Sequence, residues 1–298
     1  MKLSVLISTY NRQEQLFKTL AALLGQAYPL SEMELAVVDD AGDDGSYEAL
    51  SARRAELRSL GFRDVKILRN EANRGIAFVR ARLTAEASPE SEALLFLDDD
   101  VYLEKDTIPA LVDCLKKGAE RGVAGPRLVY ASDPQKTAHC ANFVGRWTGR
   151  YSELDASAET ECDWLNSSCF LVRRSALAGV AYPEEFYTAH EEVDFCLQVG
   201  RAGYKLVYFP LVKAVHDLPP SGAGRRGRLY YLYRNKLLLF KRNFPAARAF
   251  TATLLALVLG LPRYLLESVV YNRGVNRAEI GLIFRALADG LAGRGGKL

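Results

Sequence analysis

Short apolar runs alternate with helix-patterned stretches through the first 130 residues of the chain. The runs LSVLIST (3–9), ELAVVDD (34–40), VKILRN (65–70), ALLFLDD (93–99) and GVAGPRLVY (122–130) are rich in Val, Ile and Leu, as strands covered on both faces are. Between them, 13–25 sets Leu16, Leu20, Leu23 and Leu24 on one helical face, 46–60 stops at Gly61, and 76–87 and 106–118 have helical patterns. This βαβα alternation predicts an α/β fold, a doubly wound and mostly parallel sheet.

From 131 to 165 the pattern dissolves into polar residues, glycines and two tryptophans, which predicts loops and a hairpin over one end of the sheet. SSCFLVRRSAL (167–177) reads as a strand turning into a short helix. A helix over 191–202 follows, closed by Gly203, and KLVYFP (205–210) and VKAVHD (212–217) read as two short strands. Beyond Gly227 the chain is helical, with breaks near Phe244-Pro245 and 272–276. The expected organisation is a sheet-based unit over 1–220, made of halves 1–130 and 131–220, and a helical tail over 221–298.

Charge sharpens that division. Residues 1–220 hold 25 Lys/Arg against 33 Asp/Glu, whereas the tail holds 14 against 3. Five cysteines (Cys114, Cys140, Cys162, Cys169, Cys196) form no CxxC pair, which fits neither a disulfide framework nor a zinc site and points to reduced thiols in a cytosolic protein. The N-terminus MKLSVLISTYNR reaches polar residues too soon for a signal peptide and reads as the first strand. Ala249 to Pro262 is charge-free for 14 residues, short of the roughly 20 that a membrane crossing needs, so a core or interfacial helix is expected.

In open parallel sheets, ligands bind beyond the carboxyl ends of the strands. Those ends carry Thr9-Tyr10-Asn11-Arg12, Asp39-Asp40 and Asp98-Asp99-Asp100 here, and all three should meet at one crevice. Three adjacent carboxylates repel one another unless a cation or polar ligand offsets them. No GxGxxG follows the first strand, so a pyrophosphate would be held by another device, and a divalent cation on hard carboxylate oxygens, Mg2+ or Mn2+, is the natural one.

With these motifs in view, the chain resembles the inverting nucleotide-sugar glycosyltransferases of family 2, which have the GT-A fold. The resemblance is carried, in the family's order, by LSVLISTYNR, ELAVVDDAGDDGS, NEANRGIAFVRA, LLFLDDDV, WLNSSCFLVRRSAL, EEFYTAHEEVDFCLQVGRAGYKLVYFP with His216 after it, and YYLYRNKLLLF. It implies that Tyr10 stacks on the nucleobase, Asp40 hydrogen-bonds it, and Thr9 and Arg12 lie near the phosphates. Arg80 matches the arginine of a GxAxAR segment near the nucleotide, with Ala81 where the family usually has Asn. Asp98 and Asp100 match the DxD element, Asp98 toward the ribose or sugar and Asp100 on the metal, with Asp99 among the donor-binding groups and His216 completing the metal site. The acceptor motif, usually Glu-Asp-x-Asp, reads Glu191-Glu192-Val193-Asp194; Glu192 is the expected base, Glu191 the reserve, and Asp194 an acceptor-side group or a helix N-terminal acid. Trp164 lines the acceptor cleft or belongs to the core.

The implied reaction transfers a sugar with inversion from a UDP-, dTDP- or GDP-sugar to a hydroxyl of a glycan or lipid-linked acceptor, as in bacterial surface polysaccharide or glycolipid assembly; the tail resembles that of such family members, rhamnosyltransferases among them. The basic residues Arg225, Arg226, Arg228, Arg234, Lys236, Lys241, Arg242 and Arg248 precede the apolar run, which points to an anionic membrane surface and a cytoplasmic, peripheral location. No nucleic-acid motif accompanies the charge. Two rival readings are a haloacid-dehalogenase-like phosphohydrolase with Asp98 as nucleophile, since FLDDDV also fits its strand-then-DxDxV element, and a non-catalytic membrane-associated scaffold.

Overall fold

A computed structural model of the chain describes residues 1–218 and 225–298, and the side chains of 228–298 in the second part. The expected boundary at 220/221 and the side chains of Arg225 and Arg226 lie outside the described residues. The first half runs β1 (Leu3–Thr9), α1 (Gln13–Leu24), β2 (Met33–Asp39), α2 (Ser46–Ala52), α3 (Arg54–Ser59), β3 (Asp64–Arg69), α4 (Ile76–Glu86), β4 (Ala93–Asp98), β5 (Val101–Leu103), α5 (Thr107–Lys116) and β6 (Arg121–Tyr130). Then come β7 (Asp133–His139), β8 (Ala141–Val144), β9 (Tyr151–Leu154), β10 (Thr160–Cys162), β11 (Cys169–Arg173), α6 (Glu191–Arg201), β12 (Lys205–His216) and the helices α7 (Arg225–Asn243), α8 (Ala246–Leu255), α9 (Leu261–Tyr271) and α10 (Arg277–Ala292).

The main sheet has the order β10-β12-β6-β11-β4-β1-β2-β3, with β5 on β12 and β7 on β6. Strands β3, β2, β1 and β4 are parallel, as the βαβ pattern predicts. Alternate residues of these strands feed two cores: Val5, Ile7, Leu95 and Leu97 face α1, α2 and α5, while Leu6, Leu94 and Phe96 face α4 and α6. This two-sided burial is why the runs are almost continuously apolar.

Two local expectations are corrected, and one strand's place in the sheet is added. The segment 46–60 breaks at Arg53 into two helices. The strand expected at 122–130 does not pair with the 93–99 strand, because β11 lies between them, antiparallel to both. The two short strands at 205–217 form one strand, β12, whose pairing with β6 shifts register between Phe209 and Lys213. Pro210 sits in that irregularity, where its lack of an N–H breaks no ladder bond.

The tail is helical but firmly attached. Leu238 and Leu239 of α7 belong to the same core as Phe96 and Phe195, and α7 and α10 share a further core around Leu237, Phe240, Ile283 and Leu287. A five-residue π-helical turn, 256–260, joins α8 to α9. The continuous helix Ala246–Tyr271 is therefore 26 residues long, apolar enough by length and composition to cross a membrane, and scarcely buried. The 14-residue charge-free run understated its length.

Candidate active site

Parallel register aligns the chemistry. Ser8 lies opposite both Val38 and Asp98, and Thr9 opposite Asp39, so the polar residues after β1, β2 and β4 emerge at one level. They wall a cavity of about 360 Å³ lined by Thr9, Tyr10, Arg12, Asp40, Asp98 and Asp99, with Asn73, Gly75, Tyr187 and Thr188 closing it from the other side. Tyr10 is half exposed on the wall, an open aromatic face. Asp40 is occupied with its own architecture: one carboxylate oxygen accepts from Asn70 Nδ2 (2.6 Å) and the Arg74 N–H (2.9 Å), the other from the Gly75 N–H (2.8 Å). Gly75 has φ +84°, and a Cβ there would stand 2.4 Å from the Tyr187 ring, so only glycine lets this loop close on Tyr187.

Pairing of β5 with β12 sets Val101 opposite His216, which brings the histidine beside Asp100. His216 Nε2 lies 3.3 Å from Asp100 Oδ1, and Arg12 ion-pairs with the other oxygen of Asp100 and, at 3.6 Å, with Asp99. Burial would raise the Asp100 carboxyl, but His216 and Arg12 outweigh it and hold it below the usual range. Asp99, with less help, is pushed up to about 7 by burial. Buried Asp100 Oδ1 and His216 Nδ1 make no hydrogen bond. A carboxylate and an imidazole with free lone pairs suit Mg2+ or Mn2+, which take one or two protein ligands and fill the rest with water and phosphate oxygens. No group of three or more metal-binding side chains exists among the described residues.

Arg80 joins this end to the acceptor motif. Its fully buried guanidinium donates to Asp98 Oδ1 at 2.8 Å and to Glu191 Oε1 at 3.0 Å. Burial raises the carboxyls of both Glu191 and Glu192; their mutual repulsion adds to the effect on Glu191, and Arg80 pulls both back down. Glu192 Oε2 is buried with no hydrogen-bond partner. Asp194, by contrast, is fully buried and binds Gln198 Nε2 (2.6 Å), Arg242 Nε (3.1 Å) and Asn243 Nδ2 (2.5 Å), so it ties α6 to α7. Trp164 is buried in the core, its ring 5.4 Å from Tyr151. The Tyr151 hydroxyl meets His190 Nδ1 at 2.9 Å, and burial lowers this histidine to about 3, leaving it neutral.

Reading the sequence assigned no individual role to the segment 185–190 or to Asn235, and it placed Arg234 only in the basic set facing a membrane. Tyr187 (φ +63°, ψ −58°) centres a γ-turn closed by the Thr188 N–H donating to the Phe186 carbonyl at 2.7 Å, a rare and strained conformation. Ala189 and His190 are left-handed too, each at φ +66°. The strain is held by α7: Asn235 Nδ2 donates to the carbonyls of Phe186, Thr188 and Ala189 at 2.7–2.9 Å, and Arg234 Nη2 to those of Glu185 and Phe186 at 3.1 and 3.0 Å. Arg234 Nε also donates to the Asn235 side-chain Oδ1 at 2.8 Å, orienting that amide. The only signal in the sequence was the Arg-Asn pair inside YYLYRNK, which became meaningful once the fold laid α7 against the loop. Asn235→Ala leaves the Thr188 and Ala189 carbonyls short of a donor, at about 1–3 kcal/mol for each left unsatisfied, while the Phe186 carbonyl keeps the Thr188 N–H and Arg234. The expected outcome is a lower melting temperature and a turnover rate that falls more than donor affinity; equal losses in both would contradict the assignment.

Of the basic set that the sequence placed facing a membrane, Arg234 is buried inside the protein, and Arg242, though exposed, ion-pairs with Asp194 and Glu185. His139 is partly buried and pushed down to about 4, chiefly by desolvation.

Comparison with known proteins agrees with the fold. The N-acetylglucosaminyl-diphospho-decaprenol L-rhamnosyltransferase of Mycobacterium tuberculosis is 27% identical over 242 residues, covering 72% of this chain and 75% of that protein. A dolichol-phosphate mannosyltransferase of Pyrococcus furiosus is 31% identical over 221 residues, 73% of this chain and 54% of its own length. Among solved structures, Staphylococcus aureus TarS 1–349 in complex with UDP-GlcNAc superposes with a TM-score of 0.63 at 20% identity over 98% of this chain and 81% of that one. The Pyrobaculum calidifontis mannosyltransferase PcManGT, with GDP-Man and Mn2+, gives 0.63 at 16% over 97% and 87%. Both share the GT-A fold of this chain. The model of the family described as Glycosyl transferase family 2 matches residues 4–180, and with every strand of the main sheet but β12, the strand-end carboxylates and Arg80 inside that span, the chain belongs to glycosyltransferase family 2.

Proposed function

We propose that this glycosyltransferase moves a sugar from a nucleotide-diphosphate sugar to an acceptor hydroxyl by a single inverting displacement. The observation that supports the reading is the Arg80 bridge: one buried guanidinium pairs with Asp98 on the cavity and with Glu191 at the start of α6, the residue next to Glu192. The donor lies in the 360 Å³ cavity, its base against Tyr10 and the Asp40-anchored loop, its diphosphate toward Arg12 and Thr9, and its sugar toward Asp98 and Asp99. Glu192 takes the proton from the acceptor hydroxyl as the oxygen attacks the anomeric carbon and the bond to the diphosphate breaks. A burial-raised carboxyl is a better base than an exposed one, and such assistance contributes about 10²–10⁴-fold. Asp100 and His216 would hold a divalent cation, which supplies charge stabilisation to the leaving diphosphate.

The acceptor in this reading is a lipid-linked glycan at the inner face of the membrane. The M. tuberculosis relative is named for a diphospho-decaprenol acceptor, and this chain exposes an apolar helix. That helix packs one side, including Ala249, Ala252, Leu257 and Leu261, against the α7–α10 core, so it lies on the membrane surface with the enzyme rather than standing alone in lipid.

Thermal melts against UDP-, dTDP- and GDP-sugars test the donor site. One nucleotide class is expected to raise the melting temperature only with Mn2+ or Mg2+ present; about 100-fold excess over Kd adds about 2.7 kcal/mol. Asp100→Ala is expected to abolish the metal-dependent part. A protein that responds to none of the donors would overturn the reading.

A further inference from the structure

A second cavity, of about 500 Å³, opens between the β8–β9 hairpin, the C-terminal end of α6 and the start of α8. It is larger than the donor cavity and shares none of its residues. Four cations wall it: Arg146, Arg201, Lys205 and Arg248. Two acids are present, and both are satisfied locally: Glu161 pairs with Lys205 at 2.6 Å, and Asp163 accepts the Val144 N–H at 2.8 Å. Arg201 donates only to neutral Asn243, and the Arg248 guanidinium lies over the Trp147 ring, 5.2 Å from its centroid. Among the described residues no carboxylate lies within ion-pair distance of Arg146, Arg201 or Arg248. The lining thus carries four cations against two carboxylates, a net positive charge among the described residues.

Its surroundings are those of a lipid boundary. Trp147 projects from the hairpin tip, 54% exposed, against the start of the helix that exposes Phe250 at 70% together with Leu254, Val258 and Leu259. Tryptophan favours the level of membrane headgroups, where one end of the ring is apolar and the other wet, and guanidinium groups match phosphate oxygens in paired hydrogen bonds. A site for a soluble anion has no need of an apolar ridge on its rim; a phospholipid supplies a partner for both.

We propose that this cavity binds the phosphate headgroup of an anionic phospholipid while Trp147 and the Phe250–Leu259 ridge enter the acyl boundary beside it. The inference rests on the membrane-surface reading above and adds to it a defined headgroup site, built largely by the sheet unit rather than by the tail. Membrane docking would then be coupled to the catalytic unit itself, since α6 carries Glu192 at one end and Arg201 at the other.

Sedimentation with phosphatidylcholine vesicles, with and without phosphatidylglycerol, tests it. A basic residue near an anionic surface is worth about fivefold in affinity. The double variant Arg146→Ala with Arg248→Ala is therefore expected to bind phosphatidylglycerol vesicles roughly 25-fold more weakly, with an unchanged melting temperature and unchanged transfer to a water-soluble acceptor. Phe250→Asp is expected to lose binding to both kinds of vesicle. If the double variant binds like the parent while Phe250→Asp does not bind, the headgroup site is wrong and the membrane reading stands. A parent protein that ignores all vesicles overturns both. Stabilisation of the parent but not the double variant by inorganic phosphate, without vesicle binding, would reassign the cavity to a free anion. Loss of transfer in the double variant would make these arginines part of the acceptor site and overturn the proposal.

Discussion

Glu192→Gln is expected to lower the transfer rate by about 10²–10⁴-fold while leaving donor affinity unchanged. The substitution is nearly isosteric, and Glu192 Oε2 is buried with no hydrogen-bond partner, so no contact within the chain is lost at that atom. What disappears is the capacity to accept a proton. Glu191 is the internal control, because Arg80 Nη1 holds its Oε1 at 3.0 Å. That ion pair occupies one Glu191 oxygen, and Glu191→Gln should act mainly by unpairing Arg80, lowering stability more than turnover. Single-turnover transfer rates and calorimetric donor affinities for the two variants check this. Loss of transfer in Glu191→Gln with retention in Glu192→Gln would exchange the two roles.

Arg80→Ala is the second large effect. It leaves Asp98 and Glu191 without a buried counter-charge, and breaking a buried pair costs about 3–5 kcal/mol. The penalty belongs to the ionised carboxylates, so the loss of stability is greatest at neutral and higher pH and fades as the pH falls and they protonate. Arg80 also pulls the raised Glu191 and Glu192 carboxyls downward. Without it both rise further, and the acid limb of the transfer profile moves to higher pH. Arg80→Lys retains a charge but not the two-armed geometry, and should recover stability more fully than turnover. Melting curves and rate profiles across pH measure both effects; an acid limb that stays in place, or moves down, would show that Arg80 does not govern the base.

Much of the site was legible along the chain because it is local. LSVLISTYNR, ELAVVDD and LLFLDDDV each contain both the buried strand and the polar residues at its end, and parallel pairing with aligned ends then puts Thr9, Asp40 and Asp98 around one cavity. The amphipathic pattern of α1 and α5 and the apolar runs of β1, β2 and β4 follow from the same short-range periodicity.

What the chain could not state in one dimension depends on contacts between distant segments. The sequence by itself determined the family, the parallel half of the sheet, the strand-end position of the carboxylates and the adjacency of Glu191 and Glu192. Only the tertiary structure decided that Arg80 bridges to Glu191, 111 residues away, that Asp194 ties α6 to α7, and that Arg234 and Asn235 hold a strained turn beside the donor cavity. It also merged two expected strands into β12, extended a 14-residue apolar run into a 26-residue helix, and set Arg146 and Arg248 on one cavity. The physical reason is the same in each case: periodicity records which side of an element is buried, whereas the partner of a buried charge or carbonyl is chosen by whatever the fold packs against it.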